Sequence, residues 1–554
     1  MTNKEIARPL KETAALVELT GGNPFRARAF ANAARTIERM DEQIATLSDL
    51  TGIAGIGAGL AAQIGEILER GTFEVRDDLL GSIPPGLLDI LSVKGLGAKK
   101  ARALWQQLGV QTLEDLEQAA ATGRIAELEG FGAKSQQSIV DNVALLRSYQ
   151  GRRRLADASA LVARVAAHLG DRRVQVTGEL RRNLNDVGRL DLLLEGDLPD
   201  AGDWLRDPVP TTCHGFAALD GTLSDGMAVR LVAAPGADLA RALALTTGPD
   251  SFSEVLVGAL GGETAGIGSD TDTEEAVFEA AGLTWIHPAL RDLPGAVERT
   301  AELARLHLIT LDDMQGSLHN HSTYSDGAHS LREMALACRS RGWSYLGICD
   351  HSQSLKVANG MTPATVSRQQ KEIRALNQAF ATDGGPAFRI FSGVESDILL
   401  DGSLDYPDDI LATFDFIVAS VHTSFNMTRE QATERLVTAI RNPHTRILGH
   451  PTGRLILRRE GYDIDHETVL QACAEHDVAV ELNANPYRLD LDWTWIERAR
   501  ELGVRVAINP DAHSVDQLDL TEWGVRAARK GGLQLDECLN TLSADAFEAW
   551  AHRA

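Results

Sequence analysis

Apolar residues change their period twice along this 554-residue chain. Over residues 1–150 they fall in short runs of helical spacing separated by Gly-x-Gly, which predicts small amphipathic helices joined by tight turns. From about 151 to 310, helical stretches mix with short β-like runs at 174–176, 190–194 and 229–233. From 314 onward the runs YLGICD, FRIFSGVE, FDFIVASVH, RILGH, VAVELNA and VRVAINPDAH alternate with helical stretches. Strands that alternate with helices pair in parallel, and this many repeats predict a barrel with its chemistry at the strand ends. The segment LARLHLITLDDMQGS, roughly 303–317, reads as the hinge in front of that barrel.

Length and a hydrophobic content of 44% allow several packed cores and suggest three or four domains. No apolar stretch reaches the roughly 18 residues of a membrane span, so no membrane association is expected. The N-terminus, MTNKEIARPLKETAALVEL, is charged throughout and lacks a signal core, which predicts a cytoplasmic protein. Cys213, Cys338, Cys349, Cys473 and Cys538 are scattered and never spaced Cys-x-x-Cys; a reducing compartment and no cysteine zinc site are expected. The formal charge is −24, with the acidic excess mainly beyond residue 150, and the stretch between Lys134 and Lys356 holds no lysine. Such acidity argues against tight nonspecific DNA binding by the chain as a whole, since that binding rests on neutralising phosphates. The N-terminal segment is the least acidic part.

Eleven of the 15 histidines lie beyond residue 310. Those at the ends of β-like runs are accompanied by carboxylates: LHNHSTYSDG with His319, His321 and Asp326; CDH with Asp350 and His351; SGVES with Glu395; ASVHTS with His422; LGHP with His450; INPDAHS with Asp511 and His513. A barrel brings strand ends to one rim. His-x-His on a strand directs both rings to one face, as shared metal ligation requires. A lone histidine is more often a surface or satisfied core residue, the reading kept for His329, His444, His466, His476 and His552. Imidazole and carboxylate donors without thiolate suit Mn²⁺, Zn²⁺ or Fe²⁺.

The region 314–554 resembles the polymerase and histidinol phosphatase (PHP) domain, a distorted (β/α)₇ barrel with a trinuclear metal centre that hydrolyses phosphoesters. The resemblance implies metal ligands at His319, His321, Asp326, His351, Glu395, His422, His450, Asp511 and His513. It also implies three divalent ions, Glu395 as a bridge between two of them, and Glu395 and His422 as the catalytic residues.

Three stretches share a second form: LTGIAGIGAGLAAQI with Gly55 and Gly57, LSVKGLGAKKARAL with Gly95, Gly97 and Lys99, and LEGFGAKSQQSI with Gly130, Gly132 and Lys134. Each is an apolar residue, Gly-x-Gly and a helix, so that backbone N–H groups at a helix N-terminus face an anion. One such turn is weak evidence. The set resembles helix-hairpin-helix modules, which grip the DNA backbone without reading sequence. With NPFRARAFANAARTI it is similar to the 8 kDa and fingers domains of family X DNA polymerases. Some of those domains carry a lyase whose lysine forms a Schiff base; here the matching positions are Gln63 and Gly59, and an amide forms no imine. A lyase of that type is not expected.

Residues 151–310, containing TGELRRNLNDVGRLDLLLE and EEAVFEAAGLTWIHPALRD, resemble the palm and thumb of the same polymerases. Two Mg²⁺ ions need shared carboxylates there, two of them spaced Asp-x-Asp on one strand. This chain has Arg189-Leu190-Asp191, and Ala228 at the third carboxylate position. Glu179 replaces the family's triphosphate-binding serine, and Thr247-Gly248-Pro249 stands at the nucleotide-pocket turn. Arg189 has three readings: a pair with Asp191, a contact to DNA phosphate, or a solvated ion pair.

The whole chain resembles the bacterial PolX family, with a degenerate palm. The expected architecture is multidomain: helix-hairpin-helix domains over 1–80 (8 kDa-like) and 81–150 (fingers-like), an α+β palm over 151–238, a thumb over 239–305, a linker over 306–313 and the α/β PHP barrel over 314–554. The resemblance implies a monomeric, nucleoid-associated DNA-repair exonuclease acting on gapped or 3′-ended DNA. The alternatives are a gap-filling polymerase with rearranged metal ligands, a phosphatase of the histidinol-phosphate type, and a scaffold.

Overall fold

The computed structural model describes residues 3–38, 40, 44–47, 49–262 and 272–552; residues 263–271, inside the thumb-like segment, lie outside the described residues. The chain forms two compact units, 1–150 and 151–554.

The first unit is helical, as its 3.6-residue period predicts. One core gathers Ile6, Leu10, Phe30, Ile37, Ile64 and Phe73 from the helices Asn3–Thr20, Pro24–Glu38 and Ala58–Arg70 and the turn before Glu74–Gly81. A second gathers Leu87, Leu104, Leu116 and Val143 from the helices Leu87–Ser92, Ala98–Leu108, Leu113–Ala121 and Ala133–Tyr149. The first helix enters both, because Leu16 and Leu19 pack into the second core. The helix Leu113–Ala121 starts in a capping box in which Thr112 and Asp115 satisfy each other's backbone N–H groups.

The second unit opens with a two-residue strand β1 (Arg153–Arg154), then β2 (Val174–Val176), β3 (Asp186–Val187), β4 (Arg189–Glu195), β5 (Arg206–Cys213), β6 (Phe216–Thr222) and β7 (Ala228–Ala234). β1 pairs with β3, and the others form a sheet in the order β2-β4-β7-β6-β5, where only β4 and β7 are parallel. The register sets Arg189 opposite Ala228 and Asp191 opposite Arg230. Arg189, Asp191 and Ala228, the positions expected to match the polymerase carboxylates, are therefore adjacent.

Seven parallel strands follow: β8 (Gly316–Ser317), β9 (Tyr345–Ile348), β10 (Arg389–Asp397), β11 (Phe416–Ser420), β12 (Thr445–Leu448), β13 (Ala479–Asn483) and β14 (Val506–Asn509). They neighbour one another in chain order. The barrel is nearly closed: β8 and β14 are joined beyond their ends, where Asn320 bridges Ala512 and the His321 N–H donates to the Ala512 carbonyl at 2.8 Å. Its interior is apolar, with Tyr345, Phe391 and Phe416 packed on Phe547 of the C-terminal helix Ala544–Ala551. The polar residues are left to the opposite rim.

The segment read as a hinge is not free. The Ile309 N–H donates to the Leu533 carbonyl at 3.1 Å, Leu308 bridges Gln534, and Ile309 and Met314 are buried in the barrel's outer core. Its apolar residues have a better place to go than solvent, so the linker became part of the wall.

Candidate metal centre

The parallel strands deliver their C-terminal ends to one rim, and all nine residues expected as ligands meet there. His319 and His321 lie just beyond the two-residue β8 rather than within a strand; the bridge at Asn320 preserves the alternation, and both rings face the cluster. Glu395 sits at the centre. Its carboxylate lies 2.9 Å from His351 Nδ1, 2.9 Å from His450 Nε2, 3.0 Å from His422 Nε2, 3.4 Å from His319 Nε2 and 3.7 Å from His321 Nε2. Asp511 is 3.0 Å from His321 Nε2, and Asp326 is 3.3 Å from His513 and 3.6 Å from His351. Three groups have donor atoms mutually within 4.8 Å: His321, Asp326, His351 and His513; His319, His321 and Glu395; and His351, Glu395 and His422. His450 and Asp511 hold positive φ angles of 22° and 53°, conformations that non-glycine residues keep only where the surroundings enforce them.

Electrostatics there is dominated by burial and close charge. Burial opposes ionisation of Glu395 and Asp511, but the surrounding imidazoles outweigh it and hold both carboxyls well below their usual range. Asp326, against His513, falls to about 2. Burial would lower the histidines, yet Glu481, Glu395 and Asp511 hold His319 well above its ordinary value, Glu395 and Asp397 raise His422 to about 10, and Asp326 and Asp511 raise His513 to about 9. His321 goes the other way, to about 3, because burial is reinforced by His513 and His351.

Several supporting residues were missed in the sequence. Glu481, fully buried on β13, lies 2.7 Å from His319 Nδ1 and accepts from Asn483 at 3.0 Å. Asp350 was seen in the sequence without a role; it accepts from the Ser322 N–H at 2.8 Å, the Ser322 hydroxyl at 2.6 Å, and the Ser325 hydroxyl and Gln369 amide at 2.5 Å. It thereby holds the 322–326 turn that carries Asp326. Asp397 lies 3.4 Å from His422 Nδ1. The signal in the sequence was a carboxylate inside an apolar strand, as in VAVELNA, where burial demands a partner.

Comparison with known proteins covers the chain from end to end. Family models match residues 1–73 (helix-hairpin-helix domain), 87–143 (SAM-like helix-hairpin-helix tandem) and 317–485 (PHP domain). A Bacillus subtilis protein described as DNA polymerase/3'-5' exonuclease PolX is 35% identical over 595 aligned residues, covering 100% of both chains. The chain belongs to the PolX family. Probable phosphatases match only part of it: one from Thermoanaerobacter sp. is 31% identical over 27% of this chain and 64% of its own, and one from Vibrio parahaemolyticus is 25% identical over 40% and 88%.

Within this PolX chain, the palm positions form a cleft of about 570 Å³ lined by Gly178, Glu179, Arg189, Asp191, Ala228 and Arg230 among others. Arg189 is paired with Asp191: its Nε donates to Asp191 Oδ1 at 2.6 Å, on a half-exposed side chain. Burial pushes the Asp191 carboxyl up, and Arg189 opposes that rise. Arg230 is occupied by a forked pair with Asp220 at 2.6 and 2.7 Å. Glu179 lines the cleft, but its Oε2 accepts the Gly188 N–H at 2.6 Å and lies 3.8 Å from Arg152, so its charge is partly engaged. The preceding Gly178 has φ +61°, and a Cβ there would collide with the Asp191 carboxylate.

The three glycine hairpins of this PolX chain have one geometry. Gly55, Gly95 and Gly130 have φ of 86°, 88° and 82°, while Gly57, Gly97 and Gly132 are extended N-caps with no side-chain cap. At all six a Cβ would meet only open space. The first glycine of each pair answers to its φ; nothing internal requires the second.

Proposed function

We propose that the chain is a divalent-metal-dependent 3′→5′ exonuclease on DNA, hydrolysing phosphodiesters at the barrel rim, with templated synthesis weak or lost. The observation that carries this is the crowding of five imidazoles around Glu395. Not every donor is used within the cluster: His319 Nε2, His321 Nδ1, His351 Nδ1, His450 Nδ1 and Glu395 Oε2 are buried without a hydrogen-bond partner. The buried carboxylates Asp350, Glu395, Asp397, Glu481 and Asp511 share, among the described residues, only Arg488, 3.9 Å from Asp511, as a Lys or Arg cation within 4 Å. Such a site fits cations. Mn²⁺, Zn²⁺ or Fe²⁺ suit these donors, and the three groups above would hold up to three ions.

Bound there, the ions would polarise the phosphoester and make a water nucleophilic near neutral pH. The chain's own residues fix that arrangement. Glu395 lies between two donor groups and would be shared by them, Glu481 orients His319, Asp397 orients His422, and Asp350 holds the turn bearing Asp326. The PolX relative is named for polymerase and exonuclease activity, the phosphatases match only part of the chain, and the PHP model matches the barrel residues 317–485. Together they support phosphoester hydrolysis in the barrel.

The palm argues against synthesis. Asp191, paired with Arg189, is left without the shared carboxylates that two Mg²⁺ ions need. DNA would be gripped through Gly55, Gly57, Gly95, Gly97, Lys99, Gly130, Gly132 and Lys134. The open space over the second glycines and the uncapped N–H groups behind them suit a close phosphate. We assign 1–80 and 81–150 to DNA binding, 151–238 and 239–305 to a palm and thumb, 306–313 to a connection and 314–554 to the hydrolase of a monomeric cytoplasmic protein.

The test is a labelled gapped duplex with Mn²⁺, with and without dNTPs, comparing wild type with Glu395→Ala. Wild type should shorten the 3′ end without extending it, and Glu395→Ala should abolish shortening at unchanged DNA affinity. Full shortening by Glu395→Ala would overturn the assignment. The phosphatase relatives favour a second reading, which gains if a phosphomonoester is hydrolysed faster than the strand.

A further inference from the structure

The rim loop Asn485–Asp492 leaves β13 beside the metal centre and is held from two sides. On the barrel side, the Asp490 carboxylate accepts the Thr452 and Gly453 N–H groups at 3.0 and 2.8 Å and the Thr452 hydroxyl at 2.9 Å. Thr452 follows the ligand His450 by two residues. Arg454 donates to the Arg488 carbonyl at 2.8 Å, to the Leu489 carbonyl and to Asp492. The loop carries Arg488 to within 3.9 Å of Asp511, and the preceding Asn483 amide donates to Asp511 at 3.2 Å. Leu489 holds a φ of 41° within it.

The second hold comes from the palm. The Arg154 guanidinium carbon lies over the Tyr487 ring, 3.6 Å from its centroid, while its Nη2 pairs with Asp157 at 2.6 Å. The Asn185 side-chain amide donates to Asp492 Oδ2 at 2.8 Å, and the Asn185 backbone carbonyl accepts the Leu155 N–H at 3.0 Å. Arg154 lies in the β1–β3 pair and Asn185 directly precedes β3, whose Asp186 binds Arg152 beside Glu179 and the palm cleft. Without the Arg154 contact, Tyr487, already 49% exposed, would be more exposed still.

We propose that the palm is a brace for the hydrolase: Arg154 and Asn185 are positioning residues that fix the Asn485–Asp492 loop, and with it Arg488 and the Asn483–Asp511 contact, at the metal centre. This rests on the barrel being the hydrolytic site. It gives the palm a task that needs none of the lost carboxylates.

The test uses the full chain with Arg154→Ala, Tyr487→Ala, the double variant, Arg154→Lys, Tyr487→Phe and the control Asp157→Ala. Each alanine change at the stacked pair should lower kcat/KM on a short single strand with Mn²⁺ about tenfold, and the double should be no worse than either single. Tyr487→Phe and Asp157→Ala should stay near wild type, and Arg154→Lys should recover part of the loss. In the metal-free protein, amide exchange across 485–492 should quicken in both single alanine variants, with the rest of the barrel unchanged. Additive losses in the double, or unchanged exchange in this loop, would overturn the brace. A wild type that hydrolyses nothing would sink the hydrolase reading instead, leaving the exchange result to decide the brace.

Discussion

At the scale of single residues, the histidines and carboxylates that meet at the rim were legible and their supports were not. His319 or Asp511 can be recognised because histidines and aspartates recur at strand ends, which a parallel barrel must bring together. Glu481 carries no such mark: it is one acidic residue in an apolar strand, and only the fold shows that it faces His319 at 2.7 Å. Partners of this kind fix a ligand's tautomer, and losing one typically weakens metal binding about 10- to 100-fold. Glu481→Gln is therefore expected to weaken Mn²⁺ binding by that amount, measured by competition with a chelating dye; unchanged affinity would mean that the contact orients nothing. Arg189 was half legible, since an arginine in the Asp-x-Asp position marks the departure from the pattern but not the pair it makes with Asp191. With Glu395→Ala blocking degradation, the protein should extend a primer little or not at all. Arg189→Asp and Ala228→Asp rebuild the carboxylates, and Glu179→Ser removes the negative charge from the position expected to hold the triphosphate. That last change also frees the Gly188 N–H, so the combined variant should be less stable by about 1–3 kcal/mol in urea melts. Robust extension by the Glu395→Ala protein alone would contradict the reading of the palm.

At the scale of elements, strands and hairpins followed the hydrophobic period closely, while the connection at 306–313 did not. A run such as HLITLDDM offers turn residues and alternating apolar ones, and the choice between hinge and wall is made by partners more than 200 residues away. The thumb corner Pro288–Asp292 shows a similar long-range tie. Arg182 and Lys530 converge on Asp292 at 2.9 and 2.5 Å, and Arg529 lies 2.9 Å from the ring of His287. Burial, helped by Arg529, depresses His287 to about 4 from its ordinary 6.5. A base whose pKa is lower in the folded state binds its proton better when unfolded. Its stabilising contribution is therefore intact above 6.5 and is lost as pH falls from 6.5 toward 4. The fall in melting temperature between pH 7.5 and pH 5 is expected to be smaller in His287→Gln than in wild type. An equal or larger fall in the variant would show that this imidazole does not report the contact.

At the scale of the whole molecule, a chain of charge −24 must confine any grip on a polyanion to a limited surface. The first 150 residues are the candidate: they are the least acidic segment, they form a compact unit with their own cores, and they hold all three glycine hairpins. The rest of the chain is compact in its own right, with the barrel's apolar interior and the palm sheet both complete without them. Deleting residues 1–150 should therefore leave a folded protein that still degrades a short single strand at close to the wild-type rate. On a gapped duplex the same protein should be slower by tenfold or more at moderate salt. The difference should narrow as salt rises, because backbone contacts release counterions and weaken steeply with ionic strength, by roughly one unit of log–log slope per phosphate contact. Equal degradation of gapped duplex by the truncated and full-length proteins across the salt series would remove the hairpins from DNA binding. The acidic unit would then have to supply the grip itself, and Arg488 at the rim would be the first residue to test.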